Sequence, residues 1–376
     1  MKKGAKRRKP NTKTSNRRRS NPSSEKGFKE GDLSLELEDL IDHQEREILG
    51  GGRTHLAFKN ESTYVMATDR YGLKLIANDS EIYSAELPSP DCLKGLVYAE
   101  HPDCFFFTLD GRVYRIDINN QPPFVFLDSI DGENSLNCIN YSKTHKKLIL
   151  TTEHNQLVLM DLVDGRDRVE FVADIGGENF IQNFKIFGQR ENRLITVAST
   201  GDLSLHVIGY KRKKVLSSNH LQIELEEENE ESVVPGSLAV SDGNDHIIIE
   251  LQKATEEFFS CSRTIVLKVT NNGSILAQKA VLVVNDQETP VKDSRACCGC
   301  FGSQILWIGV GAQEHGYEVS IRVFDYNSET ESLKEIEEKS FSHEENVPME
   351  IHRLGDNFYY IGFEGKLMRL KVSYQS

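Results

Sequence analysis

One pattern restricts this chain more than any other: from residue 53 onward a β-hairpin recurs seven times. Each copy opens with a run of apolar and β-branched residues. A turn with Gly, Asn or Asp follows, then a second alternating strand that often ends in Asp. The first strands are Tyr64–Thr68, Phe105–Thr108, Leu148–Thr151, Leu194–Ala198, Ile247–Ile249, Ile305–Gly309 and Phe358–Gly362. Their starts are separated by 41, 43, 46, 53, 58 and 53 residues. The matching second strands are Leu73–Ile76, Val113–Asp117, Leu157–Asp161, Leu203–Val207, Thr264–Val269, Val319–Asp325 and Leu367–Lys371.

A period of about 40–45 residues with room for four strands per unit marks a propeller blade. Further strands fit between the hairpins, as at Phe124–Leu127 followed by Asn137–Tyr141. Helical periodicity between the hairpins is nearly absent, which excludes an alternating β–α–β fold. A four-stranded unit exposes apolar surface on both faces and cannot cover it alone. Stacking the units around an axis buries those faces and leaves only short edges. The expected fold is therefore all-β, a single seven-bladed β-propeller over residues 53–376. The last hairpin ends near Val372, four residues before the final Ser376. Its outermost strand must come from elsewhere, either residues 46–60 or the stretch Leu33–Leu37.

These repeats resemble a divergent WD-repeat β-propeller over roughly residues 46–376. The Asp that ends the third strand of a blade is matched at Asp117, Asp161 and Asp325. The Trp that usually precedes it is replaced by Ile116, Met160 and Phe324, and the usual Gly-His opening is missing. A tight-turn Asp stands at Asp110, with Asp69 near the corresponding place. The resemblance implies a rigid interaction platform without catalysis.

Charge divides the chain into two objects. Residues 1–29 hold twelve Lys/Arg and one acid, Glu25, a net of +11. The whole chain is −13, so the remainder carries −24. The first 29 residues have almost no apolar side chains and cannot bury enough surface to offset ordering entropy, so a disordered basic tail is expected. Lys6-Arg7-Arg8-Lys9-Pro10 and Arg17-Arg18-Arg19 suit recognition by a nuclear import receptor. The same side chains suit phosphate contact with RNA or DNA, released by salt. A mitochondrial presequence is a third reading, weakened by the missing amphipathic spacing. A solubilising tail, or one folded back on the acidic body, is the fourth. Ser20, directly after three arginines, is a candidate phosphosite; phosphate there removes about 1.5–2 charges from the cluster.

Residues 30–52 read as an amphipathic linker or latch. Leu33, Leu37, Leu40, Ile41 and Ile48 fall near one helical face, with Asp32 as N-cap and Gly50-Gly51-Gly52 as the stop. Such an element docks on a partner, packs on its own domain, or joins the sheet as a strand at Leu33–Leu37.

Known chemical motifs are missing. There is no phosphate-binding loop, nucleophile elbow or zincin helix. Cys297-Cys298-Gly299-Cys300 contains a Cys-x-x-Cys pair, but a metal needs two more ligands. The position reads as an inner strand, where cysteine packs as a small hydrophobe. His154, His206, His315 and His352 sit in or beside hairpins and read as structural. Seven cysteines, an odd number, argue for a reducing compartment. An apolar leader at the N-terminus and any spanning apolar run are both absent from the sequence, so neither secretion nor a membrane is expected. The acidic run holding Glu226, Glu227, Glu228, Glu230 and Glu231 reads as a solvated loop or as a site for a basic partner such as a histone tail or ribosomal protein.

Together these features lead to a non-catalytic protein–protein scaffold without a cofactor, a monomeric ring within a nuclear or ribonucleoprotein assembly. The cytoplasm is the second location. The competing readings are an RNA- or ribosome-associated factor that uses the tail, and a propeller-type hydrolase or lactonase.

Overall fold

The computed structural model describes residues 33–39 and the strands between 54 and 374, with the turns inside 54–68, 72–78, 80–86, 93–127 and 136–162. Every described element is a β-strand. Strand β1 is Leu33–Asp39. Sheet 1 contains β2 (Thr54–Asn60), β3 (Thr63–Thr68), β4 (Gly72–Ala77) and β5 (Ser80–Ala85). Sheet 2 contains β6 (Leu93–Ala99), β7 (Cys104–Leu109), β8 (Arg112–Asp117) and β9 (Asn120–Leu127). Sheet 3 contains β10 (Leu136–Ser142), β11 (Lys147–Thr152), β12 (Gln156–Asp161) and β13 (Arg168–Asp174). Sheet 4 follows with β14 (Ile181–Arg190), β15 (Arg193–Thr200), β16 (Ser204–Lys211) and β17 (Lys214–Gln222). Sheet 5 has β18 (Val233–Val240), β19 (His246–Ala254), β20 (Phe259–Val269) and β21 (Ile275–Leu282). Sheet 6 has β22 (Ala296–Phe301), β23 (Gln304–Gln313), β24 (Gly316–Asn327) and β25 (Ser332–His343). Sheet 7 has β26 (Pro348–Leu354), β27 (Phe358–Phe363) and β28 (Lys366–Tyr374), completed by β1.

All pairings are antiparallel, and each recurring hairpin forms the two central strands of its sheet. The first strand of each sheet touches the first strand of the next: β2 with β6, then β10, β14, β18, β22, β26 and back to β2. The sheets therefore form a closed circuit.

Burial explains why they stack. Phe105, Phe106 and Phe107 on β7 are all buried, although their side chains alternate between the faces of sheet 2. Phe105 and Phe107 join Val65, Leu73 and Leu75 of sheet 1. Phe106 joins Leu148, Leu150, Val158 and Met160 of sheet 3. A sheet buried on both faces needs continuous apolar runs in its middle strands, and Phe105-Phe106-Phe107 is one. Between the inner strands the fit is close. A Cβ placed on Gly95 of β6 would stand 2.9 Å from Ile139 Cγ2 of β10.

The stretch Leu33–Leu37 is part of a strand, and the helical reading of its leucines is corrected. Leu33, Leu35 and Leu37 alternate with Ser34, Glu36 and Glu38, a period of two that serves a strand. The free edge of β28 selects that period: Leu35 stands opposite Val372 and Leu37 opposite Leu370. On the other face Glu36 stands opposite Lys371 and Glu38 opposite Arg369. Opposite charges in directly facing positions favour this register over its neighbours. Residues 46–53, part of the other latch candidate, lie outside the described residues, while Thr54–Asn60 is the inner strand of sheet 1.

Candidate interaction faces

The strand order gives the circuit two unlike faces. Turns from first to second strand, and from third to fourth, lie on one side, called face A here. Turns from second to third strand, and the connections between sheets, lie on the opposite side, face B.

On face A the turns of successive sheets are tied to one another. Lys59 Nζ at the end of β2 lies 2.8 Å from Asp103 Oδ2 in the β6–β7 turn. Asp103 Oδ1 also accepts the Tyr98 hydroxyl at 2.6 Å. Lys143 Nζ in the β10–β11 turn lies 2.5 Å from Glu100 Oε1. The Tyr141 hydroxyl donates to the His101 carbonyl at 3.5 Å. At the seam between sheets 7 and 1, Arg369 Nη1 lies 3.8 Å from Glu61 Oε2, and the Phe58 and His352 rings are 6.2 Å apart. Three charge pairs thus step from sheet 7 to sheet 1, to sheet 2 and to sheet 3.

The titration of these groups follows from their neighbours. Burial pushes the Asp103 carboxyl up, but the Lys59 ammonium and the Tyr98 hydroxyl outweigh it and the net shift is downward. The Tyr98 hydroxyl is pushed up by burial and by the Asp103 carboxylate. His145, in the β10–β11 turn, is lowered by burial and by the Lys147 ammonium. Its Nδ1 lies 2.9 Å from Ser142 Oγ, which also accepts the His145 backbone N–H at 3.3 Å.

The Asp that ends the third strand has a definite task. Asp117 faces Cys104 in the register of β7 and β8, and Asp161 faces Lys147 at the same place in sheet 3. Arg115 Nη2 binds Asp117 at 2.8 Å and Lys147 Nζ binds Asp161 at 2.6 Å. The Cys104 thiol donates to Asp117 and receives Arg115 Nε at 3.1 Å. Burial and the carboxylate push that thiol up to about 12, so it is no nucleophile at neutral pH.

The tail residues Lys6, Arg7, Arg8, Lys9, Arg17, Arg18, Arg19 and Ser20 lie outside the described residues. So do the acidic Glu226, Glu227, Glu228, Glu230 and Glu231. The strands beside them are described, and they fix where the chain leaves. Leu33 pairs with Tyr374 at the end of β28, a third strand, so the chain enters β1 on face A. Gln222 ends β17, a fourth strand, on face B. Cys297, Cys298 and Cys300 lie on β22, an inner strand as expected, and their side chains lie outside the described residues. Among the described residues no group of three or more His, Cys, Asp or Glu is placed to hold a metal ion, and no helix is long and apolar enough to cross a membrane.

No protein-family model matches the chain, and no curated protein sequence matches it. Among solved structures it is similar to BBS1N, determined in complex with ARL6DN, with a TM-score of 0.59 and 14% identity. The match covers 90% of this chain and 97% of that one. At this identity the likeness concerns the fold, which is that of a β-propeller.

Proposed function

We propose that this chain is a non-catalytic platform for protein–protein assembly, built as a seven-bladed, WD-repeat-like propeller and serving a nuclear complex. One observation carries the reading: the turns of consecutive sheets stand side by side on face A, close enough for charge pairs from Glu61 through Asp103 to Lys143. Turns carried on paired strands lose little backbone ordering entropy when a partner binds. The β-propeller determined with ARL6DN offers a precedent for a protein partner on this fold. Affinity capture of the full chain, read by mass spectrometry for partners in stoichiometric amounts, tests the platform. A stoichiometric divalent ion in the purified protein, together with turnover of ester or lactone substrates, would replace it with the hydrolase reading.

The tail supplies nuclear import in this proposal. Replacing Lys6, Arg7, Arg8, Lys9, Arg17, Arg18 and Arg19 by Ala should move the protein to the cytoplasm. Equal nuclear fractions would remove import from the tail. A second reading is favoured by twelve Lys/Arg in 29 residues joined to a strand that starts on face A. It is an RNA- or ribosome-associated factor whose tail grips phosphate. Binding of single-stranded RNA that weakens steeply with salt, and vanishes in the same seven-residue variant, would establish it.

A further inference from the structure

Among the described sheets, sheet 7 alone has four strands that are not consecutive in the chain. Its outer position is filled by β1, which has one hydrogen-bonded neighbour, β28. Removing β1 would leave the β26–β27–β28 meander and the other six sheets intact. From Asp39 to Thr54 the connection is fifteen peptide steps and includes Gly50-Gly51-Gly52. Fully extended, it reaches about 50 Å.

The slot on β28 is selective. It sets Val372 and Leu370 opposite alternate leucines, and Lys371 and Arg369 opposite Glu36 and Glu38. A strand that satisfies all four positions is carried by every copy of this chain.

We propose that the outer edge of β28 is an exchangeable strand-binding site, and that its occupant in trans is Leu33–Asp39 of a second copy. Each copy gives its β1 and receives the other's, so the interface is two-fold and closes on itself. The closed and exchanged forms contain the same seven facing pairs. They differ in the connection alone, which within one copy presents β1 at an effective concentration in the millimolar range. Dilute protein is therefore a single ring, and exchange grows as concentration approaches that range. Exchange also joins two basic tails in one particle, which multiplies their hold on any polyanion.

The test uses full-length chains. One preparation carries Leu35→Cys and another carries Val372→Cys, positions that face each other in the register. A third carries both substitutions, and closure of a disulfide within that chain reports that the ring and register are kept. Mixed single variants are expected to give a covalent dimer joined through the two introduced thiols. Its yield should rise at least about tenfold between micromolar and near-millimolar protein, following the effective-concentration argument. Adding Glu36→Lys and Glu38→Lys to the Leu35→Cys chain alone leaves the summed facing pairs of the closed and exchanged forms equal and should change the yield little. Adding Lys371→Glu and Arg369→Glu to the partner chain as well mismatches both closed rings and matches both exchanged edges, so the yield should rise at least about tenfold. If the double variant closes within itself and the mixture yields no dimer at any concentration, the exchange is wrong. A yield that does not rise when the two charge reversals are combined also overturns it, since a chance encounter of thiols ignores the register.

Discussion

Lys59 Nζ and Asp103 Oδ2 meet at 2.8 Å across the boundary between sheets 1 and 2, although 44 positions separate them in the chain. The Lys59 and Asp103 side chains keep 31% and 49% of their exposure, so solvent screens the pair and it contributes no more than about 1 kcal/mol. Asp103 does more, because it also accepts from Tyr98 and its backbone sits at φ +66°. Lys59→Ala should therefore change the unfolding free energy by less than about 1 kcal/mol. Asp103→Ala should cost about 1–3 kcal/mol, since it removes the acceptor and places a residue poorly suited to the left-handed region. Asp103→Asn should sit between them, since Asn tolerates that conformation. Urea melts of the three variants give the ranking.

Gly95 and Ile139 make a sharper test of how closely the sheets stack. The added methyl of Gly95→Ala would lie 2.9 Å from a branched, stiff side chain that is itself buried. Overpacking of this kind costs about 1–3 kcal/mol. Ile139→Ala removes the clashing Cγ2, so the double variant should be less destabilised than the two single effects added together. Full additivity would mean that the two sheets yield freely at this point.

Phe106 tests burial on the second face of the same sheet. Phe106→Ala should cost about 3–5 kcal/mol, and Phe105→Ala a similar amount, although the two side chains serve different seams. A one-sided sheet would tolerate one of the two changes. Equal losses in thermal melts would confirm that β7 is buried from both sides.

How far such features could be read beforehand depends on their range along the chain. The hairpins were legible because alternation and turn chemistry are local: Tyr64–Thr68 falls within β3, and Asp110-Gly111 takes up positive φ at both residues. The outer strand of sheet 7 was ambiguous. Leu33 and Leu37 fit a helical face as well as a strand face, and seven residues are too few to decide between the periods. The edge of β28, some 330 positions away, decided it. The pairs Lys59–Asp103 and Glu100–Lys143 were invisible for the same reason, since they depend on which turns become neighbours. The charged segments were legible as composition only; the sides from which the chain enters β1 and leaves β17 required the strand order.

Cys104 makes a chemical prediction. Its thiol is buried, bonded to the Asp117 carboxylate and pushed up to about 12. The native protein should therefore leave Cys104 unmodified by maleimide at pH 7, and mild denaturant should expose it. Peptide mapping after labelling reads this directly. Asp117→Asn removes the carboxylate charge that disfavours the thiolate, but burial remains, so the native thiol should stay protected.

His145 sets the expected response to acid. Its ring is lowered from the ordinary value near 6.5, first by burial and then by the Lys147 ammonium. The unfolded chain therefore takes up this proton at a higher pH than the folded one. Stability from the neutral ring is fully present above about pH 6.5 and is lost as the pH falls from there toward the folded value. Lys147 is itself held by Asp161 at 2.6 Å, so this cation stays near the ring as the pH drops. His145→Asn keeps an acceptor for the Ser142 hydroxyl and cannot titrate. Melting temperatures measured from pH 7.5 to 5.5 should fall more steeply for the natural chain than for this variant. Parallel slopes would show that the ring is not held neutral by the turn.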